Sequence, residues 1–248
     1  MCIAAMAWRA HPRWQLVVAA NRDEYHARAA APLARWDDGS GILGGRDLVG
    51  GGTWLGLHEA GRFVLVTNFR VPGYPLPGRP SRGGLVTGLL SGERHQEAPT
   101  EPYNPFSIFA VSGGEAWLIG NHPEPRQQLL PPGIHGLSNG AYELPWPKTR
   151  QLGFALEGWL AEGTDDAAPL LAALRAETPL PSAALPDAGA GAFPEPRQAP
   201  VFIRDETYGT RCSTLVMVDA EGRGRMIERR FDAAGRASGD TELEFSWG

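Results

Sequence analysis

The sequence predicts an α+β fold built on antiparallel sheets. Three observations lead there. Strand-like segments come first, helical ones follow, and strands close the chain, an order that suits layered antiparallel sheets better than alternating βαβ units. Apolar runs of strand length are joined in pairs by short glycine-bearing turns, which is the hairpin signal. The 248 residues include 32 glycines and 22 prolines, a composition that favours turns over a helical bundle.

The first segments, over 3–8 and 14–20, are apolar and short. The second, Trp-Gln-Leu-Val-Val-Ala-Ala, fits a strand buried on both faces. Residues 44–52 read as a flexible glycine loop. Segments 53–58 and 62–69 form a hairpin turning at Glu59-Ala60-Gly61, and 106–112 with 115–119 a second around Gly113-Gly114. Four prolines between 71 and 80 exclude regular structure there. Helices are expected over 83–90, over 147–160 and over 165–177. The second carries Leu152, Ala155, Leu156 and Trp159 at helical spacing and Pro147 near its start. The third starts at Thr164 or Asp165 as N-cap. Residues 183–200 read as a long loop. Segments 214–219 and 225–231 form a last hairpin turning at Ala220-Glu221-Gly222, and 241–247 a closing edge strand. No linker or repeat divides the chain, so one domain over 1–248 is expected.

Charge and composition exclude several classes. The formal charge is −5 and no basic stripe is present, which argues against nucleic acid. No run approaches the ~20 apolar residues of a membrane span. The N-terminal segment is broken by Arg9, His11 and Arg13 and does not read as a signal peptide, so a cytoplasmic location is expected. Two cysteines, Cys2 and Cys212, give no disulfide framework. The six histidines show no ligand spacing, and the glycine runs match no nucleotide-binding motif. No metal and no cofactor are therefore expected.

The residues that can carry chemistry are few. Removal of Met1 would leave Cys2 with a thiol and a free α-amine on one residue. Such an amine, with an ordinary pKa of ~7.7–8.0, is partly neutral near pH 7 and can take the thiol proton. Asn21-Arg22-Asp23-Glu24 follows a buried run directly. It is either a solvated turn or a functional group in which Arg22 lowers the thiol pKa and Asp23 holds the amine. Asn68 and Asn139 end apolar or turn segments, as turn residues or as oxyanion donors. Arg211 precedes the last hairpin, as a surface residue or as a partner behind the nucleophile. Cys212 reads as a small packed residue.

Together these residues resemble a known family. Met1-Cys2-Ile3, Ala20-Asn21-Arg22-Asp23-Glu24, Gly51-Gly52-Thr53-Trp54-Leu55-Gly56, Thr67-Asn68 and Gly136-Leu137-Ser138-Asn139 are similar to the NRDE family, also called the transport and Golgi organisation 2 family. So are Pro145-Trp146-Pro147-Lys148, Tyr208-Gly209-Thr210-Arg211 and the stretch 219–231. The resemblance implies a relation to N-terminal-nucleophile hydrolases and a four-layer αββα sandwich. The nearest mechanistic comparison is the cholylglycine hydrolase and penicillin V acylase group. By that likeness Cys2, Arg22, Asp23, Asn68, Asn139 and Arg211 form the catalytic set. The implied activity is amide hydrolysis or acyl transfer at a C–N bond of a small acyl or amide compound. The alternative is a non-catalytic carrier of haem, acyl-CoA or lipid, linked to trafficking or metabolism.

Overall fold

The computed structural model describes residues 2–97, 100–178 and 199–248. In chain order the elements begin with β1 (Cys2–His11), β2 (Trp14–Tyr25), β3 (Ala30–Arg35), β4 (Ile42–Asp47), β5 (Leu55–His58), β6 (Arg62–Asn68) and α1 (Gly83–Leu90). Next come β7 (Phe106–Ser112), β8 (Glu115–Gly120), β9 (Arg126–Leu130), β10 (Gly133–Leu137), α2 (Pro147–Glu162) and α3 (Ala168–Leu174). The chain closes with β11 (Tyr208–Asp219), β12 (Arg223–Phe231) and β13 (Ala237–Ser246). It divides into two compact units, Met1–Ala27 with Pro132–Glu244, and Arg28–Pro131 with Phe245–Gly248.

The first unit carries a six-stranded sheet in the order β10-β1-β2-β11-β12-β13. β1 pairs antiparallel with both β10 and β2, and β11 pairs antiparallel with both β2 and β12. Side chains alternate across a strand, so Ile3, Ala5 and Ala7 of β1 share one face with Val17, Ala19, Leu215 and Met217. That face packs against Leu152, Leu156, Trp159 and Leu160 of α2 and against Leu170 and Leu174 of α3. Full burial of each such Leu or Val stabilises by about 1.5–3 kcal/mol over leaving it in water. α2 starts on Pro147, whose missing N–H costs nothing at a first turn. It stops at Gly163, which takes the left-handed conformation (φ 65°) that glycine adopts without Cβ strain.

The second unit carries a seven-stranded sheet in plain sequence order, β3 through β9. The helix α1 lays Leu85, Val86, Leu89 and Leu90 on Ile42, Val64, Val66, Phe106, Ile108, Ala110 and Ile119. The start of this helix lies so close to the turn before β5 that a Cβ on Gly52 would fall 2.4 Å from the Gly83 carbonyl carbon.

Several expected elements are present. The hairpins β5–β6 and β7–β8, the helices α1 and α2, the hairpin β11–β12 and the edge position of β13 follow the sequence reading. The third helix is shorter than expected and starts at Ala168. Three expectations fail. β2 does not end at Ala20 but runs through the polar tetrapeptide to Tyr25. The segment read as a glycine loop from Gly44 contains most of β4. A Cβ on Gly44 would meet Leu55 O at 2.8 Å, so its glycine serves a close backbone approach inside a sheet. β3, β9 and β10 were not foreseen, since their sequences are polar or glycine-bearing. The loop expected over 183–200 lies almost wholly outside the described residues.

Candidate active site

The register of the first sheet builds a row of side chains at one end. Cys2 pairs with Arg22 on β2, and Arg22 pairs in turn with Cys212 on β11. On the other side of β1 the register Ala4↔Leu137 runs on toward Ser138 and Asn139. Ser138 fixes that junction, its Oγ donating to the Cys2 carbonyl at 3.3 Å. Four chain segments distant in sequence thus set Asn139, Cys2, Arg22 and Cys212 side by side. All four are buried, Cys2 being 9% and Asn139 1% exposed.

A bulge in β11 completes the arrangement. Thr210 pairs with Asp23 but Cys212 pairs with Arg22, so Arg211 is an extra residue inserted between two successive pairs of the ladder. The bulged Arg211 reaches back and donates to the Tyr25 carbonyl at 2.8 Å. Thr210 is thereby turned to the helix-bearing side, where its hydroxyl donates to Asp23 Oδ1 at 2.7 Å. Tyr208 OH donates to the Asp23 carbonyl at 2.7 Å. Two residues earlier, Asn21 is tied in the same manner, donating to the Leu174 and Val201 carbonyls and accepting from Ser213.

Lys148, in the first turn of α2, lies against this group. Its Nζ stands 3.9 Å from Asp23 Oδ2, with both side chains almost fully buried. That separation is an ion pair and exceeds a hydrogen bond. Lys148 Nζ and Arg22 Nη1 are buried and find no hydrogen-bond partner among the described residues. Leaving charged donors so is costly, by about 1–3 kcal/mol or more each.

Burial dominates the electrostatics. It pushes the Cys2 thiol up from its ordinary value, the Asp23 charge adds to that, and the Asp23 amide and Arg22 pull it down without reversing it. Arg22 lowers the thiol, as expected from its charge, but desolvation outweighs the guanidinium, so the thiol as a whole is raised and not more acidic than an ordinary cysteine. Burial likewise raises Asp23 against the opposing pull of Lys148 and the Thr210 hydroxyl. It lowers Lys148 against Asp23 and Cys2. Cys212 is raised well above the ordinary thiol range by burial and by Glu228. Arg211 is lowered by burial and by its neighbour Arg22.

Of the six residues singled out from sequence, Cys2, Arg22, Asp23, Asn139 and Arg211 meet at this end of the first sheet. Asn68 ends β6 in the second unit and is exposed. The sequence reading assigned no role to Ser138, Lys148 or Thr210. Lys148 had a readable signal. With Leu152, Leu156 and Trp159 it continues the apolar stripe of α2 back by one turn, so periodicity alone places it on the buried face.

Antiparallel sheets backed by helices fit the fold class of N-terminal-nucleophile hydrolases. Solved structures bear out that class, the α+β four-layer αββα sandwich. Two structures of conjugated bile acid hydrolase variants from Clostridium perfringens each match over 100% of this chain and 97% of theirs, with TM-scores of 0.52 and 0.51 and sequence identities of 9% and 10%. At that identity the likeness concerns fold. The chain belongs to the Transport and Golgi organisation 2 family, whose model matches residues 1–233. It is 33% identical to the human Transport and Golgi organization protein 2 homolog and 34% to the mouse one, with 92% of each chain covered. The Drosophila melanogaster protein is 26% identical, over 92% of this chain and 91% of its own. Among the described residues no helix is long and apolar enough to cross a membrane.

Proposed function

We propose that this chain is an N-terminal-cysteine amidohydrolase or acyl-transfer enzyme acting on a C–N amide bond of a small acyl compound, and that it works in the cytoplasm once Met1 is removed. The observation that carries the reading is the row Asn139–Cys2–Arg22, with Asp23 buried beside it. The register pairing Cys2 with Arg22 sets the Cys2 nitrogen on the Asp23 side, where a liberated α-amine would meet a carboxylate.

In this mechanism the neutral α-amine takes the Sγ proton as sulfur bonds to the substrate carbonyl carbon. Asn139 donates to the developing oxyanion. The tetrahedral adduct collapses, the C–N bond breaks, and the ammonium returns its proton to the leaving amine. Water then attacks the thioester, the amine takes a proton from it, and the acid leaves with the thiol restored. Arg22 favours negative charge on sulfur and Asp23 orients the amine. A raised resting thiol pKa is compatible with this route, since the base removes the proton during attack.

The test is intact mass after exposure to a panel of activated acyl and β-lactam probes, with Met1 removal verified first. One acyl adduct on Cys2, absent in Cys2→Ala, is expected. A second preparation keeps Cys2 but blocks its amine with an uncleaved N-terminal tag. Acylation of the tagged protein at the untagged rate would refute the mechanism.

A further inference from the structure

We propose that Lys148 is a positioning residue for the Cys2 nucleophile, its buried ammonium facing Asp23 and favouring loss of the proton shared by the Cys2 thiol and α-amine. The inference rests on the reading of Cys2 as the nucleophile and extends it to a residue outside the cysteine's own strand and its neighbours.

The position of Lys148 is costly in three ways. It is 1% exposed, its Nζ finds no hydrogen-bond partner among the described residues, and it stands in a helix first turn, where the backbone dipole disfavours a cation. An apolar residue would continue the stripe of Leu152, Leu156 and Trp159, and well-packed hydrophobic replacements of buried ion pairs are often neutral or stabilising. Beyond the Trp146 ring, whose centroid lies 5.9 Å from Nζ, packing gives no reason for a charge here. What the charge does have is a target. Its Nζ lies 3.9 Å from Asp23 Oδ2, and Cys2 lies within its electrostatic reach.

A thiol and an amine on one residue titrate as a coupled pair, so the observed midpoint belongs to both. Loss of a proton makes that pair more negative, and a nearby cation favours it. Among the described residues, the other charged or titratable groups acting on Cys2 are Arg22 and Asp23 from β2 and Cys212 from β11, while Glu24 acts on Asp23 and Arg211 neighbours Arg22 and Cys212. Arg22 acts in the same sense as Lys148, and Asp23 opposes both. Lys148 offsets Asp23, which leaves the carboxylate to orient the amine without holding it protonated.

The experiment measures iodoacetamide alkylation of Cys2 in the full chain, after intact mass confirms Met1 removal, across the pH range where thiols and amines titrate. Lys148→Met should raise the midpoint by about half a unit or more and slow alkylation at neutral pH about threefold. Lys148→Arg, which keeps the charge, should restore the wild-type midpoint. An unchanged midpoint in folded Lys148→Met, or no rescue by arginine, overturns the proposal. Should Lys148→Met not fold, the double variant Asp23→Asn/Lys148→Met removes both buried charges. Its midpoint should lie above that of Asp23→Asn alone, and equality overturns the proposal. Failure of the underlying reading looks different: wild-type Cys2 would then alkylate no faster than in the amine-blocked protein.

Discussion

The two units bury polar groups differently. Among the described residues, the buried polar side chains of the second unit are neutral: Thr53, Thr67, Asn104 and Ser107. Its ion pairs, such as Arg28–Asp47 and Arg35–Glu59, keep part of each partner in solvent. The first unit buries Arg22, Asp23, His135, Lys148, Asp219 and Glu228. A buried charge costs several kcal/mol unless it is paired and hydrogen-bonded, so it persists where something besides stability requires it. Of the first unit's buried groups, Arg22, Asp23 and Lys148 gather at one end of the first sheet, with Lys148 Nζ 3.9 Å from Asp23 Oδ2. The second sheet behaves as a helix-covered apolar layer.

Three measurements break or sharpen this contrast. The largest effect is expected for Asp23→Ala, which leaves Lys148 as an uncompensated buried cation and should lower unfolding free energy by about 3–5 kcal/mol in urea titrations. Asp23→Ala with Lys148→Met should recover much of that loss. In the second unit Leu90→Ala, in the fully buried patch under α1, should cost about 2–4 kcal/mol by cavity formation. Adding a second apolar truncation beside it should deepen the loss, where adding Lys148→Met to Asp23→Ala relieves it. The smallest effect is a slope. Because the native Cys212 thiol is raised well above its ordinary value of 9.0, the unfolded chain releases that proton first as pH rises. The native state then binds more protons, so stability falls with pH above about 9, by up to ~1.4 kcal/mol per unit. Cys212→Ala should flatten that alkaline slope, whereas no change of slope would mean that the thiol is not held protonated by burial.

The same contrast governs how much was legible in the sequence. Hairpins β5–β6 and β7–β8 and the helix α1 were readable because their apolar pattern and glycine turns agree with each other. β2 was cut short at Ala20 because charge after an apolar run resembles a turn. Only the register, with Thr210 and Tyr208 supplying hydrogen bonds from β11, explains how Arg22 and Asp23 stay inside a sheet. β9 (Arg-Gln-Gln-Leu-Leu) lies at a sheet edge, where polar residues are tolerated and the strand pattern fades. Cys2, Arg22, Asp23, Asn139 and Arg211 could be nominated one by one, but their row across four segments depends on pairings between residues up to about two hundred positions apart. Ser138 and Thr210 act through hydrogen bonds to residues in other strands, which no local pattern encodes.

The extra residue in β11 has a last consequence. A strand is a two-beat sequence, and Arg211 inserts half a beat. Before it, Tyr208 and Thr210 keep time with Tyr25 and Asp23; after it, Cys212 and Thr214 keep time with Arg22 and Ala20. One strand thereby serves two opposite surfaces of the sheet at neighbouring positions. Deleting Arg211 would bring both halves into a single rhythm, and either the hydroxyl would lose the carboxylate or the thiol would lose the guanidinium. A change of length by one residue there is a change of wiring, although the composition of the strand would hardly alter.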